Sequence, residues 1–138
     1  MTDLLEMISL GNRNIDHLSN PSELRAAAEQ VTEVASDFGT STLMAASSAA
    51  ERIVGAALVG HAGMVHGPHS EAGSASGTVL IVDVNVASGT SLARAARRAR
   101  QAGAERVVAV VLYQLAVRLP DPHVWGIDQL IVIDQGSA

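Results

Sequence analysis

Two apolar runs that flank an Ala/Arg-rich segment constrain the fold of this chain more than any other feature. The runs are residues 78–82 and 107–113, and they lack the alternation of apolar and polar residues expected of a half-exposed strand. Residues 92–102 lie between them, have helical spacing and are followed by Gly103, which favours a helix end. A strand, a helix and a second strand in this order predict a βαβ unit in a parallel sheet.

Turn and capping residues extend the same pattern towards both ends of the chain. Asn20 and Pro21 are preferred residues at a helix start, so a helix is predicted from there to Phe38, with Gly39 ending it. Together these signals predict an α/β fold with a small, Rossmann-like parallel sheet. The remaining predicted elements are one or two helical turns within 3–10, a strand at 40–46, a helix from Ser47 or Ser48 to about Gly60, a short strand near 64–65 and a last strand at 130–133.

Length and composition restrict the class of protein. The 138 residues fit a single domain, 1–138, in which residues 61–77 form a long flexible loop. There is no cysteine, which excludes a disulfide framework, and the net charge of −5 makes a general nucleic-acid binder a poor candidate. No apolar run approaches the roughly 20 residues of a membrane helix, and the first six residues include no basic one. A cytoplasmic protein that engages no membrane is therefore expected.

The segment 78–92 is where binding chemistry is expected. The strand is predicted to end at Val82, so that Asp83 emerges at the carboxyl edge of the sheet, where open α/β sheets bind ligands. A turn of small residues then leads into a helix, whose first N–H groups and dipole favour an anion. A phosphate in this turn and a sugar hydroxyl on Asp83 would be about one sugar length apart. The turn residues are Ala87, Ser88, Gly89, Thr90 and Ser91.

This segment resembles the motif with which type I phosphoribosyltransferases bind phosphoribosyl diphosphate (PRPP). In that motif, four apolar residues precede two acidic residues and a loop of Thr, Ser and Gly. Residues 79–82 match the apolar strand, Asp83 matches the first acid, and residues 88–91 match the phosphate loop. More loosely, the resemblance covers residues 20–135.

The resemblance implies a phosphoribosyltransferase-type fold, transfer of phosphoribosyl from PRPP to a nitrogen base, Mg²⁺ accompanying PRPP, and a homodimer. Asp83 would then be the catalytic residue that holds the ribose hydroxyls and stabilises positive charge on the ring. Further ribose or pyrophosphate contacts are predicted for Asn85, Ser47, Ser48, Arg52 and His66, and base stacking for Trp125.

Several departures from the motif keep a second hypothesis open. Val84 occupies the second acidic position, and Ala87 replaces the first Thr of the loop. Residues 45–52 lack the Gly and adjacent basic residue of the pyrophosphate turn, and residues 61–77 contain no Lys or Arg. The alternative is therefore a catalytically inactive member with the same fold, acting as a nucleotide sensor or an assembly partner.

Each candidate residue also has a structural interpretation. Asp83 and the turn could form an ordinary strand end and helix cap, Asn85 could bond the backbone, and Trp125 could be a core ring. The histidines at 61, 66 and 69 match no strong zinc pattern, so no protein metal site is predicted. These histidines could instead belong to a solvated loop or contact a ligand phosphate. A solvated helix face, a subunit contact or an anionic partner would explain the basic residues Arg94, Arg97, Arg98 and Arg100.

Overall fold

A computed structural model of the chain describes residues 4–61, 63–67 and 77–134. Most of the predicted flexible loop, including His69, therefore lies outside the described residues. In chain order the elements are α1 (Leu4–His17), α2 (Pro21–Asp37), β1 (Thr42–Ala45), α3 (Ser48–Gly60), β2 (Val65–His66), β3 (Thr78–Val86), α4 (Thr90–Gln101), β4 (Arg106–Gln114), a 3-10 helix (Pro122–Trp125) and β5 (Gln129–Asp134).

All five strands of the described chain form one parallel sheet in the order β2–β1–β3–β4–β5. This confirms the predicted α/β class with a parallel, Rossmann-like sheet. From β1 the chain moves outward to β2, whereas from β3 it moves in the opposite direction through β4 to β5. The order thus reverses between β1 and β3, and in open α/β sheets ligands bind at the carboxyl ends of the strands beside such a reversal.

Helices cover both faces of the sheet. On one face, α2 and α3 pack with Leu80 and Val82 of β3 in one apolar cluster. On the other face, α4 and Trp125 pack with Ile81 in a second cluster. Since α3 follows β1 and α4 follows β3, the N-termini of these two helices lie on opposite sides of the β1/β3 crevice. None of the described helices has the length and apolar content to cross a membrane.

The prediction that β3 ends at Val82 is wrong, because the strand continues to Val86. Val84 and Val86 are buried, and Asn85 and Val86 remain paired with β4. Two polar residues, Asp83 and Asn85, interrupt the apolar run. The strand continues past them because Val84 and Val86 are buried against the helices, which is a tertiary effect. Asp83 therefore lies within the strand, four residues before the α4 turn begins at Ala87.

Other boundaries shift in the same way. The first helix is longer than predicted, and α4 begins two residues earlier, at Thr90. A 3-10 helix that was not predicted from the sequence lies at Pro122–Trp125, and the Asp121 side chain accepts a hydrogen bond from His123 N at its start. The caps of α2 and α3, by contrast, are Asn20 and Ser47, which agrees with the sequence prediction.

Candidate functional site

The β1–α3 and β3–α4 junctions both lie at the carboxyl edge of the sheet, and Ser47 links the first of them to β3. Its Oγ accepts a hydrogen bond from Ala50 N at 3.2 Å, which caps α3. The same hydroxyl donates to Oδ1 of Asp83 at 2.7 Å. A single side chain thus closes the start of α3 and fixes the carboxylate on the neighbouring strand.

Asp83 is the one buried charged residue in the described chain, with 5% of its surface exposed. Oδ1 accepts hydrogen bonds from Ser47 Oγ and from Val84 N, the latter at 2.8 Å. Within the described residues Oδ2 has no hydrogen-bond partner, and Asp83 forms no ion pair. Burial raises the pKa of Asp83, although the bonds from Ser47 and Val84 oppose the shift. A buried carboxylate with a raised pKa and no cation beside it is typical of a functional site.

A cavity of about 180 Å³ gathers most of the residues predicted for the site. Asp83 and Asn85 form one part of its lining, and the turn from Ala87 to Ser91 forms the rest together with Val86 and Leu92. The described lining contains no Arg or His side chain. The cavity therefore combines one carboxylate with backbone amides and hydroxyls, a set suited to a phosphorylated sugar.

The start of α4 differs from the starts of α2 and α3 because its N-cap residue is Gly89, which has no side chain to offer. The backbone N–H groups in the first turn of a helix have no acceptor within the helix. Ser88 Oγ reaches Thr90 N only at 3.4 Å, and the Ser88 and Thr90 hydroxyls lie 3.0 Å apart. An anion at this point would be met by unbonded amides and by two neighbouring hydroxyls.

Trp125 belongs to the apolar cluster between α4 and the sheet, and it supports the turn from that side. Its ring is 8% exposed and packs directly against Gly89. A Cβ built at position 89 would coincide with the ring, nearest to Cε2 and Cζ2, and Gly89 also has φ of 79°. The structure thus places the predicted stacking ring beneath the turn, where it holds the backbone in position.

Helix α1 engages Asn85 at the edge of the cavity. Asn14 Nδ2 donates to Asn85 Oδ1 at 2.8 Å, and Asn85 Nδ2 donates to the carbonyl of Gly11 at 3.2 Å. Gly11 is buried, and a Cβ added there would lie 3.3 Å from Leu115 Cδ1 and 3.5 Å from Asn85 Nδ2. The Asn85 amide therefore binds the backbone and α1, which was the structural interpretation of this residue.

Val84, in the position of the motif's second acid, points away from the cavity. It is 1% exposed and packs in the cluster beneath α2 and α3. An acid at this position would be buried among apolar side chains, so an apolar residue is the one that packing favours here.

Three further predicted contacts lie on the α3 side and outside the cavity lining. Ser48 is the exposed first residue of α3, and Arg52 lines a separate groove between α2 and α3. His66 ends β2, with Nε2 3.7 Å from Glu51 Oε2. The described residues contain no group of three or more His, Asp or Glu side chains that could hold a metal ion.

Sequence reasoning missed the Ser47–Asp83 bond and the contact of α1 with Asn85. Ser47 was recognisable as a helix cap, but its second partner is 36 residues away and becomes a neighbour only through sheet order. The contact of Asn85 with Gly11 spans 74 residues and carries no local signal.

No protein-family model matches this sequence, and no curated protein matches it significantly. The function of the chain is therefore argued from the site itself.

Proposed function

We propose that this chain binds the ribose 5-phosphate group of PRPP or of a nucleotide in the cavity between β3 and α4. One observation carries the proposal. The only buried carboxylate of the described chain lines the same small cavity as a helix start whose cap residue is glycine. A fold that keeps such a carboxylate without a cation loses stability, which is expected where the group serves a ligand.

The two ends of the ligand would be recognised by different chemistry. The phosphate would accept hydrogen bonds from the first amides of α4 and from the Ser88 and Thr90 hydroxyls. A ribose hydroxyl would donate to Oδ2 of Asp83, the oxygen that faces no described partner. Ser47 and Val84 hold Oδ1, so the carboxylate is oriented before the ligand arrives.

Phosphoribosyl transfer is the reaction that this arrangement supports. The bond from the anomeric carbon to diphosphate breaks, a bond to the base nitrogen forms, and that nitrogen loses its proton. Positive charge develops on the ribose ring, and the ionised Asp83 would stabilise it at short range. Magnesium binds proteins through one or two carboxylates plus substrate phosphates, so Asp83 is the residue that could contact a Mg²⁺ carried by the diphosphate.

Nucleotide binding without transfer is the second candidate. The described cavity lining contains no cationic side chain that could stabilise a departing diphosphate, and Val84 supplies no second carboxylate. A sensor needs only the ribose and 5′-phosphate contacts, for which Asp83 and the turn are the proposed groups.

Calorimetric titration of the whole chain tests the proposal. The ligands are ribose 5-phosphate, nucleoside 5′-monophosphates and PRPP with Mg²⁺. Asp83→Asn is expected to weaken binding roughly tenfold or more, because it removes a charged acceptor. Asp37→Asn, an exposed carboxylate at the end of α2, is the matched control and should leave affinity unchanged.

Release of diphosphate from PRPP across a panel of nitrogen bases separates the two candidates. Release that depends on Asp83 supports transfer, whereas binding with no release supports the sensor. If the wild-type chain binds none of the three ligand types, the proposal is wrong.

A further inference from the structure

The turn that precedes α4 has two sides, and a second groove lies on its outer side. This groove has a volume of about 320 Å³. Three residues, Ser88, Gly89 and Thr90, line both the inner cavity and this outer groove. The rest of the outer lining is Ala93, Arg94, Arg97 and Trp125. The two spaces are thus separated only by the turn proposed to bind phosphate.

The outer groove carries the cationic charge that the inner cavity lacks. Arg94 and Arg97 lie one helical turn apart on α4, and the residues that line the groove in the described chain include no acidic one. Within the described residues neither guanidinium forms an ion pair or a hydrogen bond. Arg100, one turn further along, instead binds Asp128. Two like charges at this spacing repel slightly, so the pairing of the charges does not itself stabilise the helix.

We infer that Arg94 and Arg97 form a second phosphate subsite, so that the chain prefers nucleoside 5′-di- and triphosphates to monophosphates. The inference rests on the proposed function, since it takes the ribose to lie at Asp83 and the 5′-phosphate at the turn. Any further phosphate on the 5′ chain then extends away from Asp83, across residues 88–90 and towards the two arginines. Guanidinium groups pair with phosphate oxygens through two parallel hydrogen bonds.

The charge distribution supports a ligand that spans both spaces. Asp83, nine-tenths buried with Oδ2 unpartnered in the described chain, marks the sugar end of the ligand. The arginine pair marks the end that carries more negative charge. A monophosphate would leave the arginines unused, and inorganic diphosphate would leave Asp83 unused.

Calorimetry with the 5′-mono-, di- and triphosphates of the four ribonucleosides, and with inorganic diphosphate, tests this inference on the full chain. The double variant Arg94→Gln/Arg97→Gln is compared with Arg98→Gln/Arg118→Gln, which removes the same charge from exposed residues that line neither space. The wild type is expected to bind the diphosphate of its preferred nucleoside about 10- to 100-fold more tightly than the monophosphate. The first variant should abolish this preference and keep monophosphate affinity, and the control should retain both.

The outcomes separate this inference from the proposed function. Equal wild-type affinity for mono- and diphosphate overturns the arginine subsite, as does equal loss of preference in the control variant. Asp83→Asn should weaken mono- and diphosphate binding by the same factor. If Asp83→Asn changes neither affinity while the arginine-dependent preference persists, the ribose assignment fails and the outer subsite stands.

Discussion

The two ends of α4 lie at opposite edges of the sheet, and a carboxylate lies near each end. One carboxylate is paired with a cation, and the other is buried without one. Near its C-terminal end, Asp128 Oδ2 accepts hydrogen bonds from Val107 N and Arg100 Nη2, both at 2.9 Å. The Val107 bond, with the Arg100 bond and charge, lowers the pKa of Asp128. Near the N-terminal end, Asp83 has no cation in the described chain, and burial raises its pKa. The fold therefore favours the ionised form of Asp128 and the protonated form of Asp83.

The glycines at the two ends of this helix differ in a parallel way. Gly103 follows the C-terminal end with φ of 101°, and a Cβ built there would meet no atom of the described chain within 4 Å apart from its own chain neighbours. There the helix is closed by hydrogen bonds from Gly103 N and Ala104 N to Arg100 and Ala99 carbonyls, both at 3.0 Å. Gly89 has a similar φ but is pressed against Trp125, and the helix start beside it is open. One end of α4 is thus built for stability and the other for access by an anion.

Replacement of Gly89 by Ala should have the largest effect on stability. The substitution combines a left-handed backbone with a Cβ that falls on the Trp125 ring, and a loss of about 2–4 kcal/mol is expected. The control, Gly103→Ala, has the backbone penalty alone and should lose about 1 kcal/mol. Urea unfolding measures both, and equal losses would show that Trp125 does not constrain the turn.

Replacement of Asp128 by Ala should have the next largest effect. Val107 N loses its acceptor and Arg100 loses its ion pair, but the Asp128 side chain is 35% exposed, so only about 1–2 kcal/mol is expected. Asp128→Asn keeps an oxygen for Val107 N and should lose less. Thermal and urea unfolding measure whether Asp128→Ala loses more stability than Asp128→Asn. If Asp128→Ala loses no stability, Asp128 does not stabilise this edge of the sheet.

Asp83→Asn should act in the opposite direction and raise the free energy of unfolding at pH 7. The amide oxygen can still accept from Ser47 and Val84, while the cost of burying a charge is removed. A gain of about 0.5–2 kcal/mol is the usual size of a stabilising substitution at a functional site. The same urea titration measures it, and a clear loss of stability would mean that the carboxylate serves the fold.

The smallest expected effects are the opposite pH dependences of these two carboxylates. Because burial raises the pKa of Asp83, its contribution is present at acid pH and is lost as pH rises through the folded-state pKa. The advantage of Asp83→Asn over wild type should therefore grow with pH from about pH 4. The pKa of Asp128 is lowered, so the advantage of wild type over Asp128→Asn should persist at neutral pH and shrink below about pH 4.

Unfolding curves recorded from pH 3 to 8 give both differences. Parallel pH profiles for the two variants would contradict the assignment of opposite roles to the two edges.

Local signals predicted the parts of the fold whose partners are close in sequence. Asn20 and Ser47 cap their helices through amides two and three residues away, and the apolar runs identified β3 and β4. The turn 87–91 was recognisable because small residues that precede a helix make an anion site through their own backbone. The end of β3 was not recognisable, since Val86 remains in the strand through burial and pairing with β4.

The sequence by itself determined the succession of strands and helices and placed Asp83 and the small-residue turn on one segment, because capping and apolar periodicity act within a few residues. Only the tertiary structure decided which groups surround that segment. Ser47 reaches Asp83 because β1 pairs with β3, and Trp125 lies beneath Gly89 because α4 packs on the 3-10 helix. Such contacts depend on strand order and close packing between distant parts of the chain, and no local pattern of residues encodes them.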